Sequence, residues 1–338
     1  MTSIIKKLSF VQRTGLLTEL HSDTIFGHFC WRMMHGEGTK TLSSFLKEFS
    51  KKPIFTVSNA FPGLQEEIFV PTPMVNLPSL IGKIDSKKES IINFLKLKRL
   101  KKFSSIPVTD WNLLLNGKTE DFAESLLAKL ENPSEAPSFI SDLRTRVKIN
   151  RETYSSEEGK LFSQESKSIG GTRQQIKNDQ IRWNIFIKVI DPKAFENEEF
   201  KCEKYLKEVF TLGFGKKKNI GFGEFKDIRL EDFEQFKQLK DGSNGFISLS
   251  NYLPSTDDEL KNFKYKQFLK YPKLGEEYSQ SKDPFKRPIV FLMPGSVFYT
   301  DTMREYYGRC TNHGEVSSSK SEVIQNGIAF TLRANLPT

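Results

Sequence analysis

Residues 213–223, GFGKKKNIGFG, have the composition of a loop that binds phosphate groups. Two Gly-Phe-Gly triplets enclose Lys216, Lys217, Lys218 and Asn219. Glycine adopts positive φ without steric cost, so successive backbone N–H groups can form a concave anion site, and the lysines add positive charge. The phosphate backbone of a nucleic acid fits such a loop. A flexible surface hairpin with solvated lysines is the alternative.

The order of elements around this loop excludes two familiar phosphate sites. In a dinucleotide-binding fingerprint a strand precedes the glycines and a helix follows, but here the predicted helix comes first and the predicted strand second. A Walker loop ends in Gly-Lys-Ser or Gly-Lys-Thr, and this loop has no such ending.

The histidines and cysteines predict neither a metal site nor a cofactor. His21, His28 and His35 recur every seven residues, about 10 Å apart along a helix, whereas ligands of one zinc ion lie within about 2.1 Å of it. Cys310 and His313 have the spacing of half a zinc site, but no second pair is evident.

Composition and charge narrow the class of protein. With 338 residues, 37% apolar and 28% charged, the chain is expected to fold into two domains or one large one. The net charge of +9 favours a polyanionic partner. Three widely spaced cysteines argue for a reducing compartment. No apolar stretch approaches the ~20 residues that span a membrane, so we expect a cytoplasmic protein without membrane contact.

The first part of the chain is predicted to be a β-α-β-β-α-β ferredoxin-like unit, interrupted by a large insertion at about 69–173. Ser22 or Asp23 is expected to cap the first helix, and the Pro62-Gly63 turn to end the second strand. In chain order, the predicted elements are a strand at 4–11, helices at 23–35 and 42–49, a strand at 53–61, a strand at 181–190, a helix at 196–211 and a strand at 221–229. A basic amphipathic helix is predicted inside the insertion at 96–102.

Residues 240–245, KDGSNG, are the predicted linker between two domains, at 1–239 and 245–338. The second domain is expected to be a less regular α+β unit. Its predicted elements are strands at 246–253, 288–298 and 323–333, a helix at 258–271, and a hairpin turn at residues 293–296 (MPGS).

Several segments resemble the CRISPR-associated RAMP superfamily, in which a glycine-rich loop precedes the last strand of a ferredoxin-like unit. Within it, the chain resembles the fourth-subunit family of the type III-A Csm complex. The segments that carry the resemblance, in the expected order, are residues 20–31 (LHSDTIFGHFCW), 57–62 (VSNAFP), 149–162 (INRET with EEGKLF after it), 286–298 (KRPIVFLMPGSVF) and 323–330 (VIQNGIAF).

This resemblance implies an α+β chain of two ferredoxin-like (RRM-like) domains that binds the 5′ handle of a CRISPR RNA. It implies two protein partners, the large polymerase-like subunit and the backbone RAMP subunit. The residues it implies as RNA contacts are Gly213, Gly215, Lys216, Lys217, Lys218, Asn219, Gly221 and Gly223 in the loop, His21, Ser22 and Asp23 at the first helix, and Asn150 and Arg151 in a thumb-like insertion. The family's INR is usually followed by Thr-Gly, whereas Glu152 and Thr153 stand here.

Two further hypotheses stay open beside a non-catalytic RNA-binding subunit. Related RAMP nucleases use a histidine near the first helix as general acid or base, so His21 could make the protein a metal-independent endoribonuclease that processes precursor RNA. Asp23 stands without a second carboxylate to gather metal ions, which argues against metal-dependent cleavage. A protein-interaction scaffold is the third hypothesis. We expect no catalysis.

Overall fold

The computed structural model describes residues 4–75, 95, 98–100, 103–131, 136–170, 180–238, 242–317, 320 and 322–337. Its strand pairs are antiparallel. The first part contains β1 (Ile4–Gln12), α1 (Ser22–Lys51), β2 (Phe55–Val57), β3 (Phe61–Leu64), β4 (Glu67–Pro71), β5 (Ser105–Pro107), α2 (Val108–Leu115), α3 (Thr119–Glu131), β6 (Ser138–Ile149), β7 (Ser156–Gly170), β8 (Ile181–Val189), α4 (Pro192–Phe195), α5 (Cys202–Thr211) and β9 (Phe225–Asp232).

A ferredoxin-like core confirms the predicted α+β fold of the first part. Its strands lie in the order β9-β1-β8-β3, the arrangement of a β-α-β-β-α-β unit, and β4 and β5 extend the sheet. The alternating residues Leu8 and Phe10 of β1, with Ile185 and Ile187 of β8, face α1 and α5. Phenylalanine is the most frequent residue type of this interior.

Helix α1 differs from the prediction at both ends. It spans Ser22 to Lys51, but its backbone is not helical at Gly38, where φ is 89°, so two helices meet at a kink between the predicted segments 23–35 and 42–49. His21 occupies the N-cap without a side-chain hydrogen bond, and the predicted caps Ser22 and Asp23 lie inside the first turn. The side chain of Asn59 accepts the Ser22 N–H at 2.8 Å instead.

Three other predicted boundaries were wrong: the end of the second strand, the start of the last strand and the start of the second helix of the ferredoxin-like unit. Pro62 and Gly63 lie inside β3 and pair with β8. Strand β9 begins only at Phe225, because the preceding glycines have positive φ. Helix α5 begins at Cys202 and follows the short α4.

The insertion is more regular than the sequence suggested. Helices α2 and α3 pack against the sheet, and β6 and β7 form a long hairpin (138–170). Of the predicted basic helix, Lys98, Arg99 and Leu100 are helical, and the other residues at 96–102 lie outside the described residues.

The C-terminal part has a ferredoxin-like strand order without long helices. It contains β10 (Gly245–Ser248), β11 (Asn262–Lys264), β12 (Gln267–Lys270), β13 (Ile289–Leu292), β14 (Val297–Tyr299) and β15 (Thr331–Ala334). The main sheet has the order β11-β14-β10-β15, and β12 pairs with β13 separately. Among the described residues of 245–338, the helical elements are two short 3₁₀ turns at Thr256–Asp258 and Glu276–Gln280.

Three predictions for the C-terminal part were wrong. The expected helix at 258–271 is replaced by β11 and β12, and the aromatic residues Phe263 and Tyr265 alternate with polar ones at β11, as is typical of strands. The turn at 293–296 joins strands of two different sheets, so it is not a hairpin. The predicted strand at 323–333 is reduced to β15, because residues before Thr331 are mostly irregular.

Both faces of the first sheet are covered. Ile5 and Phe186, on the face opposite α1, share a hydrophobic cluster with Ile247 and Phe330 of the C-terminal part. The open sheet face on which RRM domains stack RNA bases is therefore not available here. Lys240 and Asp241 lie outside the described residues, so the domain boundary at 240–245 stays a prediction. No helix in the described part is long and apolar enough to span a membrane.

Candidate nucleic-acid interface

The loop at 213–223, called the glycine-rich loop below, has the backbone that its sequence predicts. Its four glycines all have positive φ, from 67° to 88°, and Lys217 also lies in the left-handed region at 58°. The loop is anchored on the β1–α1 connection, where Gly223 N–H donates to Gly15 O at 3.1 Å and Lys216 N–H donates to Thr18 Oγ1 at 3.0 Å.

Two of these glycines differ in how tightly they are packed. A Cβ at Gly223 would lie 2.1 Å from the carbonyl oxygen of Phe214, whereas a Cβ at Gly221 would meet nothing within 4 Å. Gly223 is therefore required by both conformation and space, and Gly221 by conformation alone.

The two phenylalanines of the loop have different surroundings. Phe214 is buried, stacks on Phe210 at a centroid distance of 5.7 Å and contacts the tilted imidazole of His28 at 4.5 Å, so it is a core residue. Phe222 is half-buried, and the Arg146 guanidinium lies 5.9 Å from its ring centroid.

The three lysines are also not equivalent. Lys216, Lys217 and the adjacent Asn219 are exposed. The ammonium of Lys217 donates to the Gln164 side chain and lies 5.6 Å from the ring of Phe162, both in β7. Lys218 points the other way and donates to Glu276 in the C-terminal part.

The β6–β7 hairpin adds cations that the sequence analysis missed. Arg144 is directly opposite Gln164 and Arg146 is opposite Phe162, so both arginines share the hairpin face that contacts the glycine-rich loop. The overlooked signal is the alternation RTRVK at 144–148, which places three cations on one face of a strand.

The base of the hairpin encloses a small cavity beside the loop. Its volume is about 240 Å³, and Arg13, Thr14, Gly15 and Ile140 contribute to its wall. Arg13 thus lies next to the loop's anchor, another cation that the sequence analysis missed.

Asn150 and Arg151 lie at the tip of the hairpin. The side-chain oxygen of Asn150 accepts the Glu152 N–H at 2.8 Å and shapes the turn, whereas Arg151 is exposed. Asn150 is four residues beyond Arg146, which corresponds to roughly 13 Å along a strand. These two residues therefore belong to the outer end of the surface that includes the glycine-rich loop.

His21 lies beside the start of α1 and is half-buried. Its Nε2 is 3.0 Å from Glu19 Oε2, and its ring lies 5.4 Å from that of Phe268. The hydrogen bond with His21, followed by that with Lys167, outweighs burial and lowers the pKa of Glu19 to about 2.

Ser22 and Asp23 are buried and satisfied within the protein. Ser22 Oγ accepts the Asn251 N–H at 3.0 Å. Asp23 accepts hydrogen bonds from Lys270 at 2.6 and 2.8 Å, from Asn251 at 2.8 Å and from Gln325. The expectation that these two side chains contact RNA is therefore not supported, because they join the two parts of the chain.

Comparison with known proteins identifies the family. The RAMP superfamily matches residues 5–226 of the sequence. The chain belongs to the RAMP superfamily. No curated protein sequence gives a significant match.

Two solved structures have the fold of this RAMP protein. A chain in the crystal structure of a Csm1–Csm4 cassette in complex with pppApA is 17% identical, with 99% of each chain covered and a TM-score of 0.60. A chain in the crystal structure of a Csm3–Csm4 subcomplex of the type III-A CRISPR-Cas interference complex is 15% identical, with 97% of this chain and 99% of that chain covered and a TM-score of 0.60. Csm4 is common to both, which agrees with the sequence resemblance.

The remaining histidines and cysteines of this RAMP protein are dispersed. His28 lies under the glycine-rich loop, whereas His35 is near Glu277, at 3.9 Å. Cys310 contacts Asn326. The described residues contain no group of three side chains that could hold a metal ion.

Proposed function

We propose that this RAMP protein is a non-catalytic RNA-binding subunit of a type III-A CRISPR effector complex that anchors the 5′ handle of the CRISPR RNA. The observation that carries the proposal is the meeting of two basic elements, the glycine-rich loop with exposed Lys216 and Lys217 and the hairpin face with Arg144 and Arg146. A row of cations beside backbone N–H groups suits a single-stranded phosphate backbone.

The RNA contacts that we propose are Gly213, Gly215, Lys216, Lys217, Asn219, Gly221 and Gly223, with Arg13, Arg144 and Arg146 added from the structure. Asn150 and Arg151 would meet RNA or a neighbouring subunit farther out on the hairpin. His21 is retained as a phosphate contact, because its ring lies beside the start of α1 and is partly exposed.

The surroundings of Asp23 argue against a catalytic role for this carboxylate. A catalytic carboxylate must reach its substrate or a metal ion, but Asp23 is fully buried and is neutralised by Lys270. His21 supports the alternative of a metal-independent endoribonuclease, because an accessible imidazole beside a basic surface is the minimum that acid–base cleavage requires.

The C-terminal part offers a surface for the protein partners. On the outer side of the β12–β13 sheet, Leu269 is directly opposite Val290, and their exposed fractions are 50% and 47%. Tyr271 and Phe285 lie beside them and are 70% and 64% exposed. An apolar patch of this kind favours a stable partner. We propose that the large polymerase-like subunit binds this patch and that the backbone RAMP subunit binds elsewhere on the protein. Chains with this fold occur in Csm1–Csm4 and Csm3–Csm4 assemblies, which supports the choice of these two partners.

One experiment separates binding from cleavage. The purified full-length protein is incubated in EDTA with a labelled RNA of the host's CRISPR repeat, and both mobility shift and cleavage products are measured. We expect binding without cleavage. Cleavage that is lost in His21→Ala would establish the endoribonuclease instead.

A second measurement locates the binding surface. Lys216→Ala combined with Lys217→Ala should flatten the slope of log K against log salt by about 1.4, since each phosphate contact on a single strand contributes roughly 0.7. Lys204→Ala combined with Lys207→Ala on α5 removes the same charge away from the loop and is the matched control. Equal salt slopes in the two double variants would show that the glycine-rich loop is not part of the RNA-binding surface.

A further inference from the structure

Glu276 connects the glycine-rich loop to the C-terminal part. It lies at the start of the 3₁₀ turn Glu276–Gln280, and its Oε1 accepts a hydrogen bond from Lys218 Nζ. The side chains of Lys218 and Glu276 are only 16% and 22% exposed. One of the three lysines of an RNA-binding loop is thus bound to an internal carboxylate.

A second cation shares the same carboxylate. Arg32 of α1 places Nη2 3.4 Å from Glu276 Oε1, which is a long contact. Arg32 is buried, and its Nε has no hydrogen-bond partner among the described residues. A guanidinium can donate two parallel hydrogen bonds to one carboxylate, so Arg32 could hold Glu276 more tightly than it does here.

The local charge balance favours Glu276 in its ionised form. Burial raises the pKa of this carboxyl, but the hydrogen bond with Lys218 and the charges of Lys218 and Arg32 outweigh burial and keep the pKa below its usual value. If Lys218 left, Arg32 alone would still compensate the carboxylate.

We propose that Glu276 is a positioning residue that competes with RNA phosphate for Lys218. A phosphodiester draws Lys218 out of its ion pair, and Glu276 then pairs with Arg32 through Nε and Nη2. This inference rests on the proposed RNA-binding function. It assigns to the C-terminal part a direct influence on how many phosphates the glycine-rich loop can hold.

The proposed competition predicts that substitution of Glu276 increases RNA affinity. Removal of a residue that merely supports the loop would weaken RNA binding. Removal of a competitor strengthens it, because Lys218 becomes available without the loss of an ion pair. The Lys218 contact with phosphate should then be occupied more fully, which tightens binding by up to about fivefold at 0.1 M salt and steepens the salt slope by up to about 0.7.

The test uses the full-length protein and a fluorescein-labelled RNA of the host's CRISPR repeat. Affinity and salt slope are measured for the wild type, Glu276→Gln, Lys218→Met and the double variant. Glu277→Gln is the matched control, because it removes the same charge one residue away from an exposed side chain. We expect tighter binding and a steeper slope in Glu276→Gln alone, and loss of both effects in the double variant.

Arg32→Lys provides an independent variant if Glu276→Gln does not fold. It keeps the positive charge but removes the guanidinium, so Glu276 cannot gain two parallel hydrogen bonds when Lys218 leaves. RNA binding should therefore weaken, and Lys218→Met should abolish the difference. The inference is overturned if Glu276→Gln binds no tighter than Glu277→Gln, or if its gain persists without Lys218. If the folded wild type does not bind RNA, the proposed function is overturned as well. If the wild type binds RNA and only the effect of Glu276→Gln is missing, the inference alone is overturned.

Discussion

Lys270 of β12 places its Nζ 2.6 Å from Oδ2 of Asp23, in the first turn of α1. The carboxylate is fully buried, and Asn251 and Gln325 donate to its remaining positions. Residues far apart in the sequence therefore meet in one satisfied polar cluster, which joins the ferredoxin-like core to the C-terminal part.

We expect Asp23→Ala to destabilise the protein by about 3 kcal/mol, because it leaves the half-buried Lys270 without its counter-charge and the amides of Asn251 and Gln325 without an acceptor. Asp301→Ala, which removes the partner of Lys261 in an exposed ion pair, should cost less than about 1 kcal/mol. Urea denaturation of both variants checks this. Similar midpoints for the two variants would mean that the Asp23 cluster contributes little to stability.

The tight packing of Gly223 gives a second prediction. Gly223→Ala must relieve contact with Phe214 O as well as adopt positive φ, whereas Gly221→Ala has only the conformational cost of about 1–2 kcal/mol. RNA affinity should therefore fall much more in Gly223→Ala than in Gly221→Ala. Fluorescence anisotropy with the repeat RNA measures this, and equal losses would contradict the packing argument.

The imidazole of His28, whose Nδ1 is shielded from solvent without a hydrogen-bond partner among the described residues, predicts acid sensitivity. Burial, and then the charge of Lys218, lower the pKa of His28 to about 4. In the unfolded chain His28 takes up a proton near pH 6.5, whereas in the folded protein it stays neutral down to about pH 4. The free energy of unfolding is therefore highest above pH 6.5 and decreases as pH falls from 6.5 to about 4. The loss amounts to about 3 kcal/mol.

His28→Phe should lack this component of acid sensitivity, because phenylalanine cannot be protonated and can stack on Phe214. Urea midpoints at pH 7.5 and pH 4.5 provide the measurement, and the difference between wild type and variant removes the contribution of other groups. A pH dependence that is identical in both proteins would show that His28 remains protonatable in the folded state.

The apolar side of the β12–β13 sheet gives a fourth prediction. Leu269→Glu should abolish co-purification with the large subunit while it leaves RNA affinity within about twofold, because the residue is exposed and lies outside the glycine-rich loop. Leu212→Glu, an equally exposed leucine at the end of α5, is the control. Retained assembly in Leu269→Glu would place the docking surface elsewhere.

Local patterns were sufficient to predict the ferredoxin-like core. β1 and β8 alternate apolar residues, and α1 has its apolar residues at helical spacing, so each element was recognisable alone. The glycine-rich loop was predictable for the same reason, since positive φ at Gly213 and Gly223 is a local property.

Properties that depend on distant contacts could not be read from the sequence. Ser22 and Asp23 looked like an exposed helix start, and only the approach of Asn251 and Lys270 buries them. Lys218 could not be distinguished from Lys216 until Glu276 was placed beside it. Arg144 and Arg146 were missed because their face of the hairpin is defined by pairing with β7.

The position of β1 between β8 and β9 affects how the chain folds during synthesis. Ile4 pairs with Val189, and Lys6 pairs with Asp232, so β1 leaves the ribosome long before its neighbours β8 and β9. At about 5–20 residues per second this delay is on the order of 10 s or more. During that time IIKKLSFV is an unpaired, apolar strand, and its two lysines are the residues that limit its association with other nascent chains.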